Sequence, residues 1–278
     1  MFAFPILLAF YLTRKFKLGW RLWWIGAGTF VISQLGHIPF NIMLSRLFQV
    51  GMLEVPQGFN QLLFNSILFG LSAGIWEEGT RYATYRWWAK DARTWHKAIL
   101  MGTGHGGIEA IILGFLALIA FLQLIALRDV DLSQLIPADQ LELVQNQVVA
   151  YWSAPWFTSM LGAIERVFAI IAQISLSVLV LQIFQRGHIR WLVLAIGWHA
   201  FIDALAIYIL SIWGANLTEA VLFFITLINL ALIFILRSPE PDPLSASEPL
   251  PLTRDRSSFN FQDVDPTSET LEQTRYNS

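Results

Sequence analysis

Acidic side chains and histidines recur inside stretches that are otherwise apolar, and they recur at one spacing. Three pairs stand four residues apart: Glu77 with Arg81, His105 with Glu109, and His199 with Asp203. Residues four apart share one face of an α-helix, so each pair would present two polar groups to the same neighbour. A carboxylate that acts as a base, together with imidazoles that bind an ion or carry protons, can activate a water molecule.

The depth of these groups in their apolar runs favours one shared site. At about 1.5 Å per residue, Glu77, His105 and His199 each lie about 12 Å from the same end of their runs, with Glu109 and Asp203 about one turn deeper. A charge at the bilayer centre costs at least about 2.5–3.5 kcal/mol, so such groups need one another, water or a metal as partners. We therefore predict one polar functional site built from three helices.

Some of the polar residues inside apolar runs could instead stabilise the fold without taking part in chemistry. The pair of Glu77 and Arg81 could be a buried structural ion pair, and a single membrane histidine is often bonded to a neighbouring helix. Glu165 and Arg166 lie nearer the other end of their run, and we expect them to be structural or gating.

Composition places the chain in a membrane. Of its 278 residues, 55% are hydrophobic and 14% are charged, whereas about 25% charged residues are usual in soluble proteins. Too few charges remain to wet the surface of a soluble globule. A net charge of −2 without a basic stripe gives no case for nucleic acid. The absence of cysteine excludes thiol nucleophiles and sulfur-ligated metals.

The predicted fold class is all-α, a polytopic transmembrane helix bundle of about seven spans. Apolar runs cover 1–12, 22–44, 62–85, 98–127, 157–184, 191–213 and 218–236. The first run is short for a span. Segment 128–156 has the spacing of an amphipathic surface helix. We expect residues 1–236 to form the bundle and the polar tail 237–278 to be a disordered cytoplasmic segment.

Basic residues predict the orientation of the bundle. Most of the arginines and lysines of the first 237 residues follow the first, third, fifth and seventh runs, which end on one side. Under the positive-inside rule that side is cytoplasmic, so the N-terminus is predicted outside and the C-terminus inside. The site would then lie nearer the cytoplasmic surface.

The motifs resemble those of a known group of intramembrane enzymes. The stretches EEGTR, GHGGIE and HAFID, in this order on three different helices, are similar to the CAAX-protease and bacteriocin-processing superfamily, and more closely to its YhfC-like family of intramembrane metalloproteases. The likeness covers roughly residues 20–236. It implies an integral, multi-pass protein of a bacterial plasma membrane that cleaves a membrane-associated peptide or protein.

The resemblance also implies roles for residues. Glu77 matches the water-activating base, Glu78 and Arg81 match the groups that hold it, and His105 and His199 match the motif histidines. The motif histidine of the third helix is followed by Asp203 in the HxxxN/D pattern. Two departures from the superfamily pattern are EExxR in place of EExxxR, and Met101 in place of the phenylalanine of FxxxH.

Two mechanisms stay open at this point. His105, Glu109, His199 and Asp203 could hold Zn²⁺ through nitrogen and oxygen ligands with one position left for water. A glutamate base with two imidazoles that stabilise the oxyanion would need no metal. The metal-bound form is favoured narrowly.

Two other functions stay open as well. A proton-coupled transporter would need a polar path to both faces, and a non-catalytic membrane scaffold would keep the fold without hydrolysis.

Overall fold

The computed structural model describes residues 1–58 and 60–239, and within them the chain folds into α-helices without a β-strand. The helices are α1 Ala3–Lys15, α2 Arg21–Gln49, α3 Gln61–Ala83, α4 Trp95–Ala126, α5 Ala138–Ser153, α6 Thr158–Arg186, α7 Arg190–Trp213 and α8 Ala215–Ile235. This confirms the predicted all-α bundle. The predicted tail lies almost wholly outside the described residues.

Seven of these helices correspond to the seven apolar runs, and α5 lies in segment 128–156. Among the described residues, α4, α6, α7 and α8 have the length and apolar composition of membrane spans. Helices α2 and α3 have 29 and 23 residues, enough to cross a membrane, but they carry more polar side chains. The count of seven spans therefore stays a prediction.

Local sequence explains where the helices begin and end. The side chain of Asn60 caps α3 by accepting hydrogen bonds from the backbone N–H groups of Leu62 and Leu63, at 2.8 and 3.2 Å. Gly187 ends α6 with a φ of 72°, a left-handed conformation that glycine adopts without steric cost. A π-helical turn, Thr84–Trp88, follows α3 directly.

The helix bundle has two ends, a proximal face and a distal face. The proximal face holds the C-terminal ends of α3, α6 and α8, and the distal face holds the C-terminal ends of α2, α4 and α7. At the proximal face, the Arg21 guanidinium forms a salt bridge with Asp91 at 2.8 Å and holds the pKa of that carboxyl at about 2. This exposed pair links the start of α2 to the turn before α4.

Helices α3 and α7 pack against each other through glycine. A Cβ atom at Gly70 would lie 2.5 Å from the carbonyl oxygen of Ala200, and one at Gly74 would lie 2.6 Å from that of Ile196. Small residues spaced by four let two helix backbones approach closely inside a membrane. The approach brings the polar residues of α3 beside those of α7.

Helix α4 uses the glycines around His105 in the same way. A Cβ atom at Gly104 would lie 2.0 Å from the carbonyl oxygen of Trp23 on α2, and one at Gly106 would lie 3.0 Å from the Cα of Ile170 on α6. These glycines therefore let the neighbouring helices approach α4 closely. His105 is held between α2 and α6.

Substitution of Gly74 tests this packing. We expect Gly74→Ala to lower the stability of the detergent-solubilised protein by about 1–3 kcal/mol, because the added methyl group overlaps the backbone of α7. Gly79→Ala on the same helix is the matched control, since a Cβ atom there meets nothing within 4 Å. It should keep or slightly raise stability, because alanine favours a helix over glycine. Equal stability of the two variants in a thermal or denaturant titration would contradict the close approach.

Candidate active site

Glu77 is the centre of a buried cluster where α2, α3, α4 and α6 meet. Its Oε1 accepts a hydrogen bond from Gln34 Nε2 at 3.0 Å, and its Oε2 accepts from Gln173 Nε2 at 3.1 Å. His105 Nε2 lies 3.0 Å from the same Oε2. Because a carboxylate only accepts hydrogen bonds, His105 carries its proton on Nε2 in this contact. Three donors from three helices fix the orientation of one carboxylate.

Glu78 has a different set of partners. Arg81 Nη1 donates to both of its carboxylate oxygens, and His199 Nδ1 lies 2.8 Å from its Oε1. The sequence had paired Arg81 with Glu77 at i,i+4, but in the structure Arg81 pairs with Glu78 at i,i+3. Both spacings lie on one helix face. Glu77 is already occupied by donors from other helices, which leaves Arg81 to Glu78.

His199 connects the two glutamates. Its Nδ1 faces Glu78, while its Nε2 lies 3.9 Å from Glu77 Oε2 and 3.5 Å from Asp203 Oδ2. A separation of 3.9 Å is too long for a direct hydrogen bond and suits two groups that share one water molecule. The i,i+4 pairing of His199 with Asp203 is as the sequence predicted.

Glu109 is connected to this cluster through the side chain of Gln173. Arg166 Nη1 donates to Glu109 Oε1 at 3.0 Å, and its Nη2 donates to Glu165 Oε1. Gln173 Nε2 donates to Glu109 Oε2 at 3.2 Å. His105 therefore faces Glu77 rather than Glu109, although His105 and Glu109 lie on the same face of α4. Glu109 reaches the centre only through the amide of Gln173.

A cavity of about 130 Å³ lies over the cluster, between α6, α7 and α8. Glu77, His199 and Asp203 line one part of it, and apolar side chains such as Phe168 and Ile202 line another. It shares Glu165, Ala206 and Leu222 with a second cavity of about 290 Å³. That second cavity continues to Thr158 and Ala215, at the distal face. The two cavities therefore adjoin one another on the distal side of Glu77.

The predicted metal ligands do not fit a metal in this arrangement. Within residues 1–58 and 60–239, no group of three or more histidine and acidic side chains is placed to hold an ion. His199 could act as a metal ligand, because its Nδ1 faces a carboxylate and its Nε2 points away from that carboxylate. His105 does not fit that role: its Nε2 donates to Glu77, and its buried Nδ1 has no hydrogen-bond partner among the residues that the structure describes. Glu109 is bound to Arg166 instead.

Two residues of the site escaped the sequence-based prediction, Gln34 and Gln173. Each is an uncharged amide inside a long helix of the bundle, and both donate to Glu77. A search restricted to charged residues and histidines passes over such amides. Their position inside apolar runs was the available signal, because a buried amide needs partners as a charge does.

The buried pair of Arg81 and Glu78 gives a direct test of this network. We expect Arg81→Gln to destabilise the protein by about 3–5 kcal/mol, because it leaves a fully buried carboxylate without its counter-charge. Arg21→Gln, in the exposed pair with Asp91, is the control and should cost less than about 1 kcal/mol. Adding Glu78→Gln to Arg81→Gln should recover part of the loss in the same unfolding titration. Equal losses for Arg81→Gln and Arg21→Gln would show that burial of the pair does not matter.

The chain is similar to proteins that are already grouped as a family. The family model described as YhfC intramembrane metalloprotease matches residues 1–225. The chain is also 31% identical over 215 residues to the uncharacterized membrane protein YhfC of Bacillus subtilis (strain 168), which covers 74% of this chain and 80% of that protein. No solved structure matches. The chain, with its buried Glu–His cluster, belongs to the YhfC intramembrane metalloprotease family.

Proposed function

We propose that the protein is an intramembrane endopeptidase in which Glu77 activates water against a peptide bond. The observation that carries the proposal is the place of Glu77 Oε2, which lies 3.9 Å from His199 Nε2 and lines a cavity that leads away from the cluster. Peptide hydrolysis needs an oriented carboxylate, an imidazole that one water molecule can bridge to it, and room for a substrate.

The proposed steps use the chain's own groups. A water bridging Glu77 Oε2 and His199 Nε2 gives a proton to Glu77, and the resulting hydroxide adds to the carbonyl carbon of the peptide bond. A protonated His199 Nε2, held by Asp203, stabilises the negative oxygen. Glu77 then passes its proton to the leaving nitrogen as the C–N bond breaks. The products are one carboxylic acid and one amine, and Glu77 is regenerated.

Glu78 and Arg81 act in this scheme by positioning His199. Glu78 binds the Nδ1 side of the imidazole, so Nε2 is directed at Glu77 and Asp203. Arg81 supplies the charge that keeps Glu78 ionised in a buried place. His105 and Gln173 hold Glu77 from the other side.

The substrate class follows from the cavity and its surroundings. The lining mixes the polar cluster with apolar residues of α6, α7 and α8, which suits an extended stretch of a membrane-associated peptide or protein. Both cavities that run from the cluster between α6, α7 and α8 lead toward the distal face. That one-sided arrangement favours an enzyme over a carrier with a path through both faces.

The position of Glu77 along α3 bears on the depth in the membrane at which the substrate would be cut. Glu77 is six residues before the end of α3, or about 9 Å by the helical rise, so it lies nearer the proximal face. The proximal face carries the basic residues that predict the cytoplasmic side. We propose that the scissile bond is cut within the membrane, closer to the cytoplasm.

The family description suggests a metal, which would supply Lewis-acid polarisation of the carbonyl or of the water. The zinc set proposed from the sequence, His105, Glu109, His199 and Asp203, does not converge in the structure. For this reason no step above passes through an ion.

Replacement of Glu77 tests the assignment. We expect Glu77→Gln to abolish cleavage with little change in the amount of folded protein, because the amide keeps the size of the side chain and cannot take a proton. New N-termini of membrane proteins would be measured in membranes of cells that express the wild type or the variant. Peptides made by the wild type should disappear with Glu77→Gln and persist with Glu142→Gln, a control on the exposed surface of α5. The same set of new N-termini from wild type and Glu77→Gln would contradict the proposal.

Metal content gives a second, independent test. Purified wild-type protein should carry far less than one zinc per chain, and its cleavage of a substrate found as above should survive treatment with a chelator. His105→Ala and His199→Ala should leave the metal content unchanged. One zinc per chain that both substitutions remove would establish a metal site and require a different arrangement of these side chains.

A further inference from the structure

A polar groove runs along one face of α2, away from the substrate cavity. It has a volume of about 470 Å³ and is formed along the distal half of the helix. Its polar lining residues are Gln34, His37, Asn41, Ser45, Arg46 and Gln49. Their spacing of three and four residues keeps most of them on one helix face. In a membrane span such a stripe is costly unless water or protein covers it.

The inner part of the groove is a chain of hydrogen bonds that ends on Glu77. Ser72 Oγ donates to Asn41 Oδ1 at 2.7 Å, and Asn41 Nδ2 donates to His37 Nε2 at 2.8 Å. His37 Nδ1 then donates to Gln34 Oε1 at 3.3 Å, and Gln34 Nε2 donates to Glu77 Oε1 at 3.0 Å. Every donor points toward the carboxylate.

The outer part of the groove is open. Ser45 is half-buried, and Arg46 and Gln49 are exposed near the end of α2 at the distal face. A volume of 470 Å³ has room for on the order of ten water molecules at liquid density. The opening and the hydrogen-bond chain together join the distal face to Glu77 Oε1.

Glu77 is thus approached from two sides. Its Oε2 faces His199 and the cavity between α6, α7 and α8, whereas its Oε1 is bound by Gln34, which lines the inner end of the α2 groove. A peptide in the first cavity would cover that approach to the carboxylate. Hydrolysis consumes one water per bond, so a second route would let water reach Glu77 while substrate is bound.

We infer that the α2 groove is the water route from the distal face to Glu77. The inference rests on the proposed function for the use of the water, but the presence of water in the groove is independent of it. Gln34 is the positioning residue at the inner end of the route. Met43, which is 51% exposed, does not line the groove.

The absence of native cysteine allows the route to be probed one position at a time. We would make the single variants Asn41→Cys, Ser45→Cys and Met43→Cys and treat membranes with a charged, membrane-impermeant thiosulfonate. A thiolate attacks the thiosulfonate and forms a mixed disulfide as a sulfinate leaves, and the thiolate forms in water and not in lipid. Residue 43 lies between residues 41 and 45 along the helix, so depth cannot explain a difference. Gln57→Cys, in the exposed loop after α2, reports from which side the reagent reaches the distal face.

The expected result is labelling of Asn41→Cys and Ser45→Cys from the same side as Gln57→Cys, with Met43→Cys left unlabelled. Labelling of all three positions alike, or of none, would overturn the water route. Reaction from the side opposite to Gln57→Cys would overturn it as well.

Use of the water is tested on the same variants. The bulky adduct on Ser45→Cys should stop formation of the new N-termini, and a reducing agent that removes the adduct should restore it. Met43→Cys treated in the same way should retain its activity. Full activity of the labelled Ser45→Cys protein would overturn the supply role. That failure differs from failure of the proposed function, in which the unlabelled wild type shows no Glu77-dependent cleavage at all.

Discussion

The structure depends on one constraint: every ionised group inside the bundle must find its partner there. Glu78 is fully buried and satisfies the constraint with Arg81 on its own helix and His199 on α7. Glu77 satisfies it with neutral donors from three other helices. The difference matters for chemistry, because Glu77 also lines the cavity, whereas both carboxylate oxygens of Glu78 are held by Arg81.

Glycine residues let the helices approach closely enough for these polar side chains to pair. Side chains as short as those of Glu and His meet across helices only if the backbones are close, and Gly70, Gly74, Gly104 and Gly106 remove the Cβ atoms that would keep them apart. The contact of α3 with α7 brings Glu78 to His199. The insertion of α4 between α2 and α6 brings His105 to Glu77. At this level of the bundle, the close packing of the helices is therefore what allows the buried polar groups to pair.

Much of this arrangement could be predicted from the sequence. Apolar runs of spanning length gave the helices, and equal depth brought Glu77, His105 and His199 together. The choice between partners could not be predicted: Arg81 can reach either glutamate, and Glu109 shares a face with His105 but meets Arg166. Those choices depend on the rotation of each helix against its neighbours, which spacing along one helix does not contain. The amides of Gln34 and Gln173 stand inside apolar runs, but that both bind Glu77 became apparent only with the fold.

The central claim is that Glu77 delivers water to a peptide carbonyl. It is tested most directly by cleavage of an identified substrate in water enriched in ¹⁸O, with mass spectrometry of the new C-terminus. We expect one ¹⁸O atom to enter that carboxylate per cut, and we expect no labelled product from Glu77→Gln. A new C-terminus without ¹⁸O, or labelled product from Glu77→Gln at the wild-type rate, would contradict it.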